Sequence, residues 1–300
     1  MNDTKEMVDF LKGVEKDIAK IDEQVKRMEA QERLEEAMRV YTGDDMLISS
    51  LDILKRIQTE PEEERFETGI KGLDTILKGF RKNQLIVLAA PTKSGKTSFC
   101  VELTIRLENL NPVWVPFEES AEELVRKFHE RNEQPPLFYT PQNITGNTTV
   151  WIEKRVIEGK VKYGSKIFFI DHLHFIVPFS SDRLDTRIGQ AMRELKAIAK
   201  KHEVIIVLVA HLKKTNMTLS PTLEDLRDSS FIAQEADTVM MLWRKTHRDD
   251  DGEMVIGNET LLSVQANRRT GSTGNVKLIF DKGRFLEKEW KHKTQENENW

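Results

Sequence analysis

Hydrophobic residues near the start of the chain recur at alternating intervals of three and four among charged neighbours. They are Leu11, Val14, Ile18, Ile21, Val25 and Met28. This spacing predicts an amphipathic helix from about Lys5 to Val40 with a narrow apolar seam. The seam could lie on the chain's own domain. We favour packing against another copy of the chain, because a detached helix cannot bury such a seam by itself.

A second helix is predicted from about Asp45 to Ile57, followed by an acidic segment that a proline interrupts. That segment is Glu60-Pro-Glu-Glu-Glu-Arg65, and its composition is typical of a linker. We therefore expect residues 1–65 to form a helical segment and linker that serves oligomerisation or subunit docking.

From Phe66 onward, short apolar runs alternate with helical patterns. The runs predict strands at Leu85–Ala89, Val113–Phe117, Lys166–Ile170, Val204–Val209, Thr238–Leu242, Leu261–Gln265 and Lys277–Phe280. Helices are predicted at about Gly72–Leu77, Ser98–Leu107, Ala121–Arg131, Thr149–Glu158, Arg187–His202 and Ile232–Glu235. This alternation predicts an α/β fold with a mostly parallel sheet and crossover helices. Only a turn-rich segment separates the last two strands, so they should form an antiparallel hairpin at one edge. We assign residues 66–290 to this domain and 291–300 to a polar tail.

Composition narrows the class of protein. The 300 residues suffice for one sizeable α/β domain and an appendage. With 46 basic and 50 acidic residues the net charge is −4, so attraction of a polyanion requires a local patch. The single cysteine, Cys100, excludes an internal disulfide and suits a reducing compartment. Neither an apolar run of about 18 residues nor a signal-peptide pattern occurs, so we expect a cytoplasmic protein without membrane association.

One octapeptide, Ala90-Pro-Thr-Lys-Ser-Gly-Lys-Thr97, closes a predicted strand and opens a predicted helix. In that context a Gly-Lys-Thr run is typical of a P-loop. Its backbone N–H groups cradle a polyphosphate, the lysine contacts the β- and γ-phosphates, and the hydroxyl contacts Mg²⁺. Ala90 stands where the pattern has its first glycine. We therefore predict that ATP or another NTP binds with Mg²⁺ to Ala90, Pro91, Thr92, Lys93, Ser94, Gly95, Lys96, Thr97 and Ser98.

Three further strands end in polar residues, and the carboxyl ends of parallel strands meet at one crevice. Asp171 is the candidate to hold Mg²⁺ together with Thr97. Glu118 is the candidate general base for an attacking water, with Glu119 as the second choice. His211 could hydrogen-bond the γ-phosphate, although a lone histidine at a strand end is more often a structural residue than a functional one.

A polar loop follows His211 and carries Lys213 and Lys214. Two lysines in such a loop can contact a phosphodiester backbone. Two lysines alone are usually found in loops that contact only solvent. The loop is therefore a candidate DNA-binding element.

Together these motifs resemble the RecA-type hexameric replicative DNA helicases of the DnaB type, most closely the helicase half of phage primase-helicases and Twinkle. The resemblance runs from about Phe66 to Trp290 in family order. It is carried by Thr68-Gly-Ile-Lys-Gly-Leu-Asp74, Ala90 to Thr97, Phe117-Glu-Glu-Ser120, Ile170-Asp-His172, Val209-Ala-His-Leu-Lys213, Asp225-Leu-Arg-Asp-Ser-Ser230, Gln234 and Asp237-Thr238. It implies a RecA-like P-loop NTPase core.

The resemblance also implies a ring in which an arginine from the neighbouring subunit completes each ATP site. By the phage spacing this residue is Arg268, and by the bacterial spacing it is Arg269. The family usually has a lysine where this chain has Ala266, which implies slow hydrolysis. Phe280 falls near an aromatic residue that stacks on the base, although a core role is equally compatible. Arg244 occupies the place of a nucleotide-sensing arginine.

The implied function is an ATP-dependent DNA helicase or translocase that acts on single-stranded DNA during replication. Its implied partners are other copies of the chain in a hexameric ring, and a separate primase or loader. It would work at the nucleoid, or in the host cytoplasm if phage-encoded. Two alternatives remain open at this stage: a RecA/RadA-like recombinase or accessory ATPase, and a KaiC-like regulatory ATPase without unwinding.

Overall fold

The computed structural model describes residues 2–43, 46–59, 63–129, 134–177, 184–212, 220–226, 229–249 and 253–288. The chain divides into two compact units, residues 1–62 and 63–300. Among the described helices, none has both the length and the apolar character required to cross a membrane.

The first unit contains two helices, α1 (Asn2–Arg39) and α2 (Ser50–Thr59). Three residues of the predicted seam, Ile21, Val25 and Met28, are exposed on α1. The side chains of the other three lie outside the described part of the chain: Leu11, Val14 and Ile18. Packing of this seam against a second copy stays a prediction.

Helix α2 begins five residues later than the predicted Asp45. Ser49 explains this start, because its Oγ accepts a hydrogen bond from the backbone N–H of Asp52 at 3.1 Å. A serine in this arrangement satisfies one of the unpaired N–H groups of the first helical turn. The cap, rather than the apolar pattern, sets the start of the helix.

The second unit is built on an eight-stranded sheet in the order β10-β9-β8-β7-β3-β6-β5-β4, beside a small β1-β2 pair. The strands are β1 (Arg65–Phe66), β2 (Phe80–Arg81), β3 (Gln84–Ala90), β4 (Val113–Pro116), β5 (Ile167–Asp171), β6 (Ile205–His211), β7 (Thr238–Arg248), β8 (Met254–Asn267), β9 (Gly274–Asp281) and β10 (Arg284–Glu287). The helices are α3 (Lys71–Leu77), α4 (Lys96–Arg106), α5 (Ala121–His129), α6 (Thr149–Tyr163), α7 (Leu184–Lys201) and α8 (Ser229–Glu235).

Strands β7, β3, β6, β5 and β4 run parallel, and β8, β9 and β10 continue the sheet in antiparallel pairing. The predicted α/β fold with a mostly parallel sheet and a C-terminal antiparallel hairpin is therefore confirmed. The predicted position of that hairpin at the edge is wrong, because β10 pairs outside β9.

The central strands are apolar on both faces because helices cover both sides of the sheet. On β3, Ile86 and Leu88 face the hydrophobic cluster that contains α4. Leu85 and Val87 face the opposite cluster, which contains α7. This two-sided burial holds the carboxyl ends of the strands in one row.

Strand β10 was not predicted, since Arg284-Phe-Leu-Glu287 has only two apolar residues. Phe285 is fully buried and its ring meets that of Phe99 on α4 edge-on, with centroids 5.4 Å apart. One deeply buried aromatic ring thus attaches the last strand to the helix that follows the P-loop.

Candidate nucleotide-binding site

The P-loop occupies residues 91–95, between the end of β3 and the start of α4. Gly95 has a φ of +89°, and a Cβ there would lie 3.2 Å from the ring of Phe285. Both the backbone angle and the close ring favour glycine. Ala90 belongs to β3 and is fully buried in the core. Because it is a strand residue, alanine is accommodated where the pattern has a glycine.

Lys96 folds back over this loop. Its Nζ donates hydrogen bonds to the carbonyls of Ala90 at 3.2 Å and Pro91 at 3.3 Å. Burial lowers the pKa of Lys96, while the nearby carboxylates of Asp171 and Glu118 act in the opposite direction. The ammonium is therefore held at the floor of the cleft, where a phosphate can replace the carbonyl contacts.

Thr97 and Asp171 form the polar pair expected of a cation site. The Thr97 hydroxyl donates to Oδ2 of Asp171 at 2.8 Å. The other oxygen, Oδ1, is buried and has no hydrogen-bond partner among the described residues. Burial raises the pKa of Asp171 to about 6, although the bond from Thr97 opposes this rise. A hydroxyl and a carboxylate with a free oxygen fit Mg²⁺, which prefers oxygen ligands.

Glu118 follows β4, and its side chain is 51% exposed toward the cleft. Its Oε2 lies 3.2 Å from Nδ1 of His172 and 3.9 Å from Nε2 of His211. Glu119, by contrast, forms an ion pair with Lys127 of α5. Glu118 is thus the carboxylate that faces the other polar strand ends.

His172 was not predicted as a site residue, although it directly follows Asp171. Its ring lies edge-on to that of His211, with centroids 4.2 Å apart and planes at 89°. Burial is the main cause that lowers the pKa of both imidazoles, to about 4 for His211. Both rings are therefore neutral near pH 7. His172 could have been predicted from its position directly after Asp171, the acidic residue that ends an apolar strand.

Arg244 and Phe280 lie together at the mouth of the same cleft. The Arg244 guanidinium sits 4.1 Å from the centroid of the Phe280 ring and donates two hydrogen bonds to the carbonyl of Gly257, at 3.0 and 2.7 Å. Phe280 is only partly buried, and it lines the cleft together with Arg244.

The cleft measures about 440 Å³ and gathers most of the predicted nucleotide ligands. Its lining residues are Thr92, Lys93, Gly95, Lys96, Thr97, Ser98, Glu118, Glu119, Lys127, His211, Arg244 and Phe280. Lys127 was not predicted, because a lysine on a helix carries no signal apart from its contacts. Lys213 and Lys214 lie outside the described residues.

Arg268 and Arg269 do not reach this cleft. They lie in the turn between β8 and β9, directly after Asn267. Asn267 pairs with Thr238 on β7, and Thr238 pairs with Ile86 near the start of β3. Ala90, the last residue of β3, lies four residues beyond Ile86, a distance of about 13 Å along the strand. The two arginines therefore lie near the amino ends of the parallel strands, whereas the P-loop lies at their carboxyl ends.

The DnaB-like helicase C terminal domain family matches residues 66–135 and 129–286 of this sequence. The chain belongs to this family. Its P-loop, Asp171, Glu118 and His211 all lie within the matched part of the DnaB-like domain.

Curated relatives include a probable replicative DNA helicase of Trieres chinensis, 26% identical over 281 residues, which cover 81% of this chain and 61% of the relative. The replicative DNA helicase DnaC of Bacillus subtilis is 26% identical over 280 residues, covering 79% of this chain and 60% of the relative. The chain thus spans about three fifths of the length of these DnaB-like relatives.

Two solved structures share the fold. One is an ATPase domain, which superposes with a TM-score of 0.66 at 20% identity, covering 80% of this chain and 97% of that one. The other is a DnaB-like replicative helicase, described with its primase interactions, which gives 0.65 at 21% identity, covering 86% and 72%. At this level of identity the likeness shows the RecA-like fold of the DnaB-like domain.

Proposed function

We propose that this chain is the ATPase motor of a ring-forming replicative DNA helicase, which hydrolyses ATP between subunits and moves along single-stranded DNA. Membership of the DnaB-like family and the replicative helicases among its relatives support this function. They favour it over a recombinase or a KaiC-like regulatory ATPase.

The observation that carries the proposal is the separation of the site into two edges of one sheet. The phosphate-binding loop, Thr97 and the candidate base share one cleft, and Asp171 accepts a hydrogen bond from Thr97. Both candidate arginines lie at the other end of the strands. A head-to-tail contact between copies brings such unlike edges together, and its repetition forms a ring when the rotation between neighbouring copies closes.

Within the cleft, each residue has a chemical task. Lys96 and the loop N–H groups bind the phosphates of ATP. Mg²⁺, held by Thr97 and Asp171, would neutralise charge on the phosphate oxygens. Glu118 orients a water and accepts its proton as the water attacks the γ-phosphorus and ADP leaves.

Neutral His211 can donate one ring N–H to the γ-phosphate, and it directly precedes the loop that contains Lys213 and Lys214. Loss of the phosphate would therefore alter the contact at the start of that loop. We propose that its lysines hold the DNA backbone, so that hydrolysis shifts the grip on the strand. Phe280 and Arg244 would hold the base of the nucleotide.

The proposed assembly is a hexameric ring in the cytoplasm, at the nucleoid or, if phage-encoded, in the host cell. A separate primase or loader is a further proposed partner. The helical segment 1–65 would dock on a neighbouring motor or pair with another copy.

The decisive experiment measures ATP hydrolysis with and without single-stranded DNA, together with particle mass. We expect stimulation by DNA, a mass of several chains, and loss of hydrolysis in Lys96→Ala. The stimulation should fall steeply with salt, because backbone contacts release counterions. A monomer whose hydrolysis ignores DNA would contradict the motor function.

A further inference from the structure

Three potential ligand atoms from three adjacent strand ends converge beside the P-loop. Glu118 after β4, His172 after β5 and His211 at the end of β6 each contribute one such atom, and the three atoms lie within 4.8 Å of one another. One oxygen of Glu118, Oε2, lies 3.2 Å from one imidazole and 3.9 Å from the other.

These separations approach those of a metal centre. In a tetrahedral zinc site with bonds of about 2.0 to 2.1 Å, the ligand atoms lie about 3.3 Å apart. The Glu118–His172 separation of 3.2 Å already matches this value, and the Glu118–His211 separation of 3.9 Å would have to shorten by a side-chain rotation. Each residue stands at the end of a buried strand, which fixes the three backbones relative to one another.

The burial of His172 further favours a ligand at this point. The residue is 8% exposed, and its Nδ1 is buried with no hydrogen-bond partner among the described residues. A buried polar atom without a partner costs free energy, so such atoms usually face a water, an ion or a ligand. This nitrogen faces the Glu118 carboxylate at ion-pair distance without hydrogen-bond geometry.

The donor set selects the kind of cation. Two imidazoles and one carboxylate suit zinc and similar transition metals, whereas Mg²⁺ prefers oxygen ligands and keeps its waters. Thr97 and Asp171 offer oxygens only, and they form a separate pair.

We propose that Glu118, His172 and His211 form a binding site for a zinc-type divalent cation, distinct from the Mg²⁺ ligands. A cation bound there would occupy the candidate base and the candidate phosphate contact at once. It would therefore inhibit ATP hydrolysis, a consequence that rests on the proposed function.

Binding is tested on the full, tag-free chain without nucleotide, by calorimetric titration with Zn²⁺ in excess Mg²⁺. We expect one Zn²⁺ per chain, with the affinity weakened at least about tenfold in His172→Asn and in His211→Asn, since losing a ligand costs more than losing an outer-shell partner. If circular dichroism shows that His172→Asn folds poorly, His211→Asn alone carries the test.

The matched control is His202→Asn, because His202 also contacts a carboxylate, Glu153, at 2.8 Å but lies away from the cleft. It should bind Zn²⁺ as the wild type does. Equal affinity in the wild type and both cleft variants, or an equal loss in the control, would overturn the site.

A parallel titration follows ATP hydrolysis at fixed excess Mg²⁺. We expect inhibition by Zn²⁺ over the same concentration range as binding. Binding without inhibition would leave the metal site standing and would remove Glu118 and His211 from the proposed hydrolysis. Inhibition without binding at these residues would overturn the metal site and leave the motor proposal intact.

Discussion

The two ends of the central strands present opposite chemistry. At the carboxyl end lie the P-loop, Glu118 and His211, which line one cleft, and Asp171, which accepts a hydrogen bond from Thr97. At the amino end lies the turn with Arg268 and Arg269, and no phosphate-binding loop adjoins it among the described residues. In the proposed function these are the two halves of one site, and a single copy of the chain cannot bring them together.

The two arginines also differ from each other. Arg269 forms an ion pair with Glu63, which in turn accepts a hydrogen bond from Arg81 at 3.1 Å. The backbone N–H of Arg268 bonds to the carbonyl of Asp237, and its side chain is exposed. We therefore expect Arg268 to be the residue that reaches a neighbour, with Arg269 bracing the turn.

The largest effect should come from Arg268→Ala. We expect kcat to fall by about 10³ or more, as for other trans-acting arginines, with ATP binding retained. Arg269→Ala should cost far less, because an exposed ion pair contributes about 0 to 1 kcal/mol. Steady-state hydrolysis and nucleotide binding, measured on both variants, check this difference.

Mixing two inactive variants tests whether the cleft of one chain works together with the arginine of another chain. Arg268→Ala and Lys96→Ala chains should each be inactive alone and regain part of the activity when mixed. In the mixture, an intact cleft can face an intact arginine of another chain. Mixtures that stay inactive although mixed particles form would place both halves of the site within a single chain.

A smaller effect is expected inside the cleft. Glu118→Gln should lower kcat by about 10² to 10⁴, the range for loss of a general base, while ATP stays bound. Glu119→Gln is the matched control, because its carboxylate pairs with Lys127. It should retain most of the activity. Equal losses in single-turnover assays of the two variants would end the assignment of Glu118 as base.

The smallest effect concerns stability. Burial raises the folded-state pKa of Asp171 from 3.8 to about 6, so without Mg²⁺ stability is lost as the pH rises between these two values. Asp171→Asn, which keeps an acceptor for Thr97, should therefore raise Tm at pH 7.5 in EDTA by a few degrees. The free-energy gain is at most about 3 kcal/mol, from a pKa difference near two units.

Its control is the same comparison at pH 4.5, where the difference between the two proteins should shrink. Added Mg²⁺ should stabilise the wild type and leave the variant unchanged. A Tm difference that does not depend on pH would show that burial does not raise the pKa of Asp171.

Local signals in the sequence were sufficient for much of the site. The P-loop is contiguous in sequence, so its glycine, lysine and threonine can be identified without knowledge of the fold. Glu118 and Asp171 end apolar strands, and parallel strands place such ends in one row. His172 was missed because its importance comes from Glu118 and His211, which lie 54 and 39 positions away along the chain.

The sequence alone determined the order of the strands from β3 to β9 and of the helices between them, the nucleotide-binding loop and the likeness to a helicase family. These features depend on periodicity and on short contiguous motifs. Tertiary structure decided what depends on distance. It joined β10 to the sheet through Phe285, brought Glu118, His172 and His211 to a common point, and separated Arg268 from the cleft. Contacts between remote residues depend on strand order and register, and no local pattern encodes either of them.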